Sequence, residues 1–305
     1  MSKDSINWGI AAPLLVVVAG ICWGCISLFS QALAGWGLSS PQITAVRCVI
    51  ASLVIGIFML AFDRKGFRIR LRDLWMFLGS GILSIAFFNV CYFACMQECN
   101  VSIACVLLYT APCFVTIMAR FLFKELLTAR KVACLLVAFF GCAMVVGIGA
   151  GDAAATPFGI AVGLGSGIGY ALYSIFGGFA LKRYQPTTVT FYTFLFAAVV
   201  MVPLSGPVPI LQLATSNGTA ALVMMGLAVL CTVVPFGCYT VGLQHLEASK
   251  ASIMAFVEPL VALLVGAFVF HDVLTPQNIL GILCILGAVL VLNLAPAKKA
   301  AKADE

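Results

Sequence analysis

The chain has 305 residues, 63% hydrophobic and 9% charged, with a formal net charge of +6. Soluble domains carry about 45–50% apolar and about 25% charged residues, so this composition, with a mean hydropathy of +1.14, excludes an ordinary water-soluble fold. Nearly all the basic residues fall in short loops and at the termini, which excludes a nucleic-acid-binding face.

A helix needs about 20 apolar residues to cross a hydrocarbon core of about 30 Å. In chain order, such runs cover 8–32, 42–62, 74–95, 101–123, 130–149, 157–181, 186–203, 219–242, 249–270 and 276–294. The expected fold is an all-α membrane protein of ten transmembrane helices. The first run contains Ala32-Leu33-Ala34, which mimics a signal-peptide cleavage site. It exceeds the roughly 7–15 apolar residues of a signal core, so it reads as a retained span. Between the third and fourth runs, Gln97-Glu98-Cys99-Asn100 is the only polar break, and 74–123 is too long for one crossing.

The loops alternate in charge. Arg64, Lys65, Arg68, Arg70 and Arg72 follow the second span; Lys124, Arg130 and Lys131 follow the fourth; Lys182 and Arg183 follow the sixth. Lys250 opens the ninth, and the tail 295–305 holds Lys298, Lys299 and Lys302. The loops near 33–41, 96–100, 150–156, 204–218 and 271–275 hold no Lys or Arg. Basic loops mark the cytoplasmic side. Both termini are therefore expected there, in a multi-pass protein of the plasma membrane with a disordered cytoplasmic tail.

A shift of 147 residues superimposes the two halves. Gly20, Trp23, Ser27 and Phe29 fall on Gly167, Tyr170, Ser174 and Phe176. After a small indel, Cys91, Tyr92, Gln97, Ser102, Ala104 and Pro112 meet Cys238, Tyr239, Gln244, Ser249, Ala251 and Pro259. Phe121, Phe123, Leu127 and Thr128 meet Phe268, Phe270, Leu274 and Thr275. The expected units are 8–149 and 157–294, five spans each. An odd span count inverts the second unit, an architecture typical of secondary transporters.

Val101–Glu125, VSIACVLLYTAPCFVTIMARFLFKE, is followed by Leu127-Thr128 and a helix with Gly141; Ala248–Asp272 repeats the pattern before Leu274-Thr275 and Gly287. Both segments resemble the EamA domain, whose tandem copies define much of the drug/metabolite transporter superfamily. The resemblance covers almost the whole chain. It implies an alternating-access carrier of a small organic solute, often an exporter of amino acids or related metabolites. It implies no cofactor and no enzymatic activity. One difference separates the copies: Ala111 precedes Pro112, whereas Glu258 precedes Pro259.

Ionisable groups within a span cost at least about 2.5–3.5 kcal/mol and usually face a cavity or a partner. Arg47 lies about six residues, or roughly 9 Å, into the second span, and Glu258 about nine residues, or roughly 14 Å, into the ninth. They are expected to line the transport cavity as a charge pair, as ligands of a zwitterion, or with Glu258 as a proton carrier. The structural alternative is a pair that fixes helix packing, or an Arg47 that snorkels. Pro112 and Pro259 are expected to interrupt the fourth and ninth spans and to free the Leu108 and Ala255 carbonyls. Matched interruptions point to a transporter site. Asn89, Tyr92, Tyr109, Trp23 and Tyr170 add the orienting donors of a largely apolar pocket, with helix-packing glue as the competing view and Tyr239 a weaker candidate.

Other patterns read as packing. Cys22-Trp23-Gly24-Cys25 has redox spacing without redox surroundings, and the thirteen cysteines lie mostly inside apolar runs. Cys91, Cys95 and Cys99 share a helical face without a His or acidic cluster to complete a metal site. The run Gly163, Gly165, Gly167, Gly169 suits close helix approach rather than nucleotide binding, and there is no P-loop. The alternatives to a carrier are a membrane-embedded enzyme and a lipid- or solute-binding scaffold. An enzyme would need a nucleophile, metal cluster or acid/base pair converging on one point. The expected partners are a small-molecule substrate, membrane lipid and, if Glu258 couples transport, protons.

Overall fold

The computed structural model describes residues 7–147 and 156–294; the tail 295–305 with its three lysines, and all but Thr156 of the expected loop 150–156, lie outside the described residues. Among the described residues, ten helices are long and apolar enough to cross a membrane. They are Trp8–Gly35, Ser40–Phe62, Leu71–Glu98, Val101–Leu122, Ala129–Val146, Pro157–Ala180, Pro186–Ser205, Gly218–His245, Ala248–Val269 and Pro276–Leu294, called here the first to tenth spans. All ten expected spans are present. The polar break after Glu98 is a helix start, where the Asn100 side chain accepts from the Ile103 amide at 2.7 Å. Thr128, Thr156 and Asn217 cap the fifth, sixth and eighth spans in the same way. Each cap satisfies an amide that has no helical partner.

The stretch 204–218 is not wholly a loop, because it contains a nine-residue helix, Val208–Ser216. Its Ile210, Leu213 and Ala214 pack against an apolar cluster that includes Leu33, Leu38, Met224 and Leu227, while Val208 and Leu211 stay exposed. At about 1.5 Å per residue it is too short to cross a bilayer and covers one end of the bundle.

The spans pack mainly between halves, in a pattern that survives exchanging them. The first span lies on the eighth and ninth, and its counterpart, the sixth, lies on the third and fourth. The second packs on the seventh and the fifth on the tenth, pairs that map onto themselves. Gly141 and Gly281 allow the last crossing: a Cβ on Gly141 would stand 2.8 Å from the Gly281 carbonyl oxygen. The turns repeat too. Lys124 and His271, related by the 147-residue shift, are the non-glycine residues with positive φ among the described residues, at 57° and 61°. After each, an amide reaches back six residues, Glu125 to the Ala119 carbonyl at 3.2 Å and Asp272 to that of Gly266 at 3.1 Å. These are matching helix C-caps.

The basic loops meet at one end of the bundle. Arg183 pairs with Asp73, whose other oxygen accepts from the Tyr184 hydroxyl at 2.7 Å. Lys131 pairs with Glu247 and lies 3.8 Å from Glu125. Glu125 accepts from the amides of Ala248 at 2.7 Å and Ser249 at 3.2 Å, and from the Ser249 hydroxyl, so the first half caps the start of the ninth span. Trp8 stacks on His245 at 3.8 Å, bringing the start of the first span to the same end.

Candidate functional site

The fourth and ninth spans are both discontinuous at mid-length. Val101–Leu108 and Ala111–Leu122 meet at Tyr109-Thr110; Ala248–Met254 and Val257–Val269 meet at Ala255-Phe256. Pro112 and Pro259 fall in the first turn of the second piece, where a missing N–H leaves no helical bond unmade. The expected free carbonyl at Ala255 is not free, since the break lets the Glu258 amide donate to it at 2.9 Å.

Glycines related by the repeat let neighbouring spans touch these breaks. A Cβ on Gly20 of the first span would meet the Glu258 amide at 3.4 Å and the Ala255 carbonyl at 3.7 Å. One on Gly167 of the sixth would meet the Leu107 carbonyl at 2.7 Å and Thr110 Oγ1 at 2.4 Å. The sixth-span glycines also explain the cysteine face. Cβ atoms on Gly159, Gly163 and Gly165 would lie 2.4, 2.9 and 3.4 Å from the sulfurs of Cys99, Cys95 and Cys91. The two motifs are packing partners, and all thirteen cysteines are unpaired thiols.

Beside the breaks lies a small cavity bordered by Trp23, Tyr109, Pro112, Tyr170, Tyr239 and Glu258, among others. Its wall is largely aromatic and apolar. Glu258 accepts from the Tyr170 hydroxyl at 3.1 Å. Trp23 is buried and its indole Nε1 has no hydrogen-bond partner in the protein, so one donor is available at the wall. A second, smaller cavity is bordered by Thr44, Arg47, Asn89, Phe88, Phe194 and neighbours. There Arg47 Nε donates to Thr232 Oγ1 at 2.9 Å and a terminal nitrogen to the Cys231 carbonyl at 3.4 Å. Asn89 donates to the Ile85 carbonyl at 2.7 Å and accepts from Thr44 Oγ1 at 3.3 Å.

The structure thus gathers Trp23, Tyr109, Tyr170, Pro112 and Glu258 at one cavity and Arg47 with Asn89 at the other. Arg47 and Glu258 form no ion pair among the described residues, so the direct charge pair is not present. Tyr92 borders neither cavity; its hydroxyl lies 3.0 Å from the Cys105 sulfur. Its counterpart Tyr239 does border the first, bonded to Ser174 at 2.7 Å. Pro259 shapes the break without touching either space.

Sequence reasoning missed Phe236, which borders both cavities, and the π-helical segments Gly79–Ala86 and Val229–Val233. These occupy related places in the third and eighth spans, just before Asn89 and Phe236. A π-turn adds a residue to the helical repeat and leaves no clear trace in hydrophobic periodicity.

The sequence profile of the EamA-like transporter family matches residues 10–147 and again 157–294. A relative from Archaeoglobus fulgidus, named an uncharacterized transporter, is 28% identical over 290 residues, covering 94% of this chain and 96% of its own length. The threonine/homoserine exporter RhtA of Escherichia coli (strain K12) is 26% identical over 288 residues, covering 92% and 90%. A solved crystal structure superimposes with a TM-score of 0.74 over 92% of this chain and 96% of that one; at 17% identity the likeness is one of fold. With both halves matched in a ten-span bundle, the chain belongs to the EamA-like transporter family.

Proposed function

We propose that this integral multi-pass protein is a secondary carrier of the plasma membrane that exports a small zwitterionic solute of the amino-acid class by alternating access. The observation that carries the reading is the gathering of both helix breaks and both deeply placed charges around two adjoining cavities. Arg47, with unused donors, suits a carboxylate, and Glu258 suits an ammonium group. Trp23, Tyr109, Tyr170 and Asn89 supply apolar surface and orienting polar groups. The name of the Escherichia coli relative supports amino acids as the class to try first. The convergence of Arg64–Arg72, Lys131 and Lys182-Arg183 at one end supports placing that end, and both termini, in the cytoplasm. Rocking of the two halves about the breaks would expose the cavities to each side in turn, with Glu258 able to carry a proton on one leg. No group of three or more metal-binding side chains occurs among the described residues.

The test is an export screen. Cells with and without the protein are loaded with amino-acid-containing dipeptides, and the free amino acids released to the medium are measured over time. Faster release of one or a few amino acids supports the reading; identical release of all twenty common ones contradicts it.

A further inference from the structure

Resting on that reading, we propose that Phe236 is a septum between a carboxylate-binding chamber at Arg47 and an ammonium-binding chamber at Glu258, and that its ring limits the size of the solute carried. Among the described residues Phe236 is the one side chain bordering both cavities, and it is 4% exposed. A single occupant touching both charges must displace or pass this ring.

The ring is held in a way that permits movement. It makes edge-to-face contacts with Trp23 at 5.0 Å, Tyr173 at 5.0 Å and Phe194 at 4.8 Å between centroids. Such contacts are worth about 0.5–1.5 kcal/mol each and carry no hydrogen bond to break. The backbone just before it is tethered to Arg47, which lines the second cavity with it. Phe236 follows the π-helical segment Val229–Val233, and the Arg47 guanidinium holds that segment through Thr232 Oγ1 and the Cys231 carbonyl. A carboxylate that draws Arg47 away loosens the segment and the ring together.

The repeat strengthens the assignment. Shifted by 147 residues, Phe236 falls on Asn89, which also follows a π-helical segment and also borders a cavity. Both halves therefore present this position to the interior. One presents an amide and the other a ring large enough to close a passage.

The experiment uses full-length protein in liposomes, with L-threonine and L-phenylalanine as probes and the ratio of their KM values in counterflow as readout. Phe236→Ala should improve phenylalanine over threonine by at least tenfold relative to the unaltered protein. Phe236→Leu, which keeps most of the apolar volume, should shift the ratio the same way but less, and Phe236→Trp the opposite way. An unchanged ratio in the Ala and Leu variants, both monodisperse by size-exclusion chromatography, overturns the septum while leaving the carrier reading intact. If Phe236→Ala is not monodisperse, the Leu and Trp variants decide: opposite shifts support the septum, and equal ratios overturn it. Counterflow of neither probe by the unaltered protein overturns the threonine-class reading and the septum with it.

Discussion

The guanidinium of Arg47 has five N–H donors. Thr232 Oγ1 and the Cys231 carbonyl engage two of its nitrogens, leaving donors for an anion in the smaller cavity. Lysine offers one compact ammonium that cannot hold the π-helical segment and a carboxylate in a fork at the same time. Arg47→Lys should therefore raise KM for a zwitterionic substrate about tenfold or more, which is about 1.4 kcal/mol, with less effect on maximal rate. Glu258→Gln keeps the shape and the Tyr170 contact but removes the negative charge, so transport should fall to background in a vesicle assay. Full, pH-dependent transport by this variant would exclude Glu258 as a proton carrier. Arg47 and Glu258 were legible in the sequence because a charge inside an apolar run needs a reason. The sequence reading ranks Tyr92 above Tyr239, and the structure reverses that order: they are one residue type at one repeat position, and only Tyr239 borders a cavity. Which of them borders the cavity depends on how each span is rotated against its neighbours, and that is set by the opposite half.

Helical elements were legible almost to their ends, because lipid demands continuous apolar stretches and cap residues mark the boundaries. Two kinds of element were not. The helix Val208–Ser216 is short and half apolar, so it carries no spanning signal. The breaks at 109–110 and 255–256 were signalled by Pro112 and Pro259, but the close passage of the first and sixth spans over them lies in the packing of glycines. That passage makes a sharp prediction. A Cβ on Gly24 would stand 2.5 Å from Val261 Cβ and 2.8 Å from the Glu258 carbonyl oxygen, whereas one on Gly287 meets nothing within 4 Å. Gly24→Ala should destabilise by about 1–3 kcal/mol through overpacking and impair transport, and Gly287→Ala should do neither. Thermal melting in detergent followed by size-exclusion fluorescence checks both. The cap across the halves is a second test at this scale. Glu125→Ala leaves the Ala248 and Ser249 amides without their acceptor and should cost about 1–3 kcal/mol in the same measurement. Its counterpart Asp272 is exposed, so Asp272→Ala should melt like the unaltered protein.

At the scale of the whole molecule, the two halves interlock so that nearly every major contact has a partner under exchange. The sequence carried this symmetry in its 147-residue register, down to the matched C-caps at Lys124 and His271. What it carried only in part is the departure from symmetry, which is where we place the proposed site. Glu258 faces Ala111 across the repeat, Phe236 faces Asn89, and the buried Glu125 faces the exposed Asp272. A symmetric scaffold gives two related conformations; unequal residues let them differ in what they bind and when they open. The most direct measurement of this account is counterflow of radiolabelled L-threonine into liposomes that contain the purified protein and a large internal pool of unlabelled threonine. The expected result is transient accumulation of label above the external concentration, saturable in threonine and absent in Glu258→Gln. Monotonic equilibration without an overshoot, or an overshoot undiminished in that variant, would contradict an alternating-access carrier with its site at Glu258.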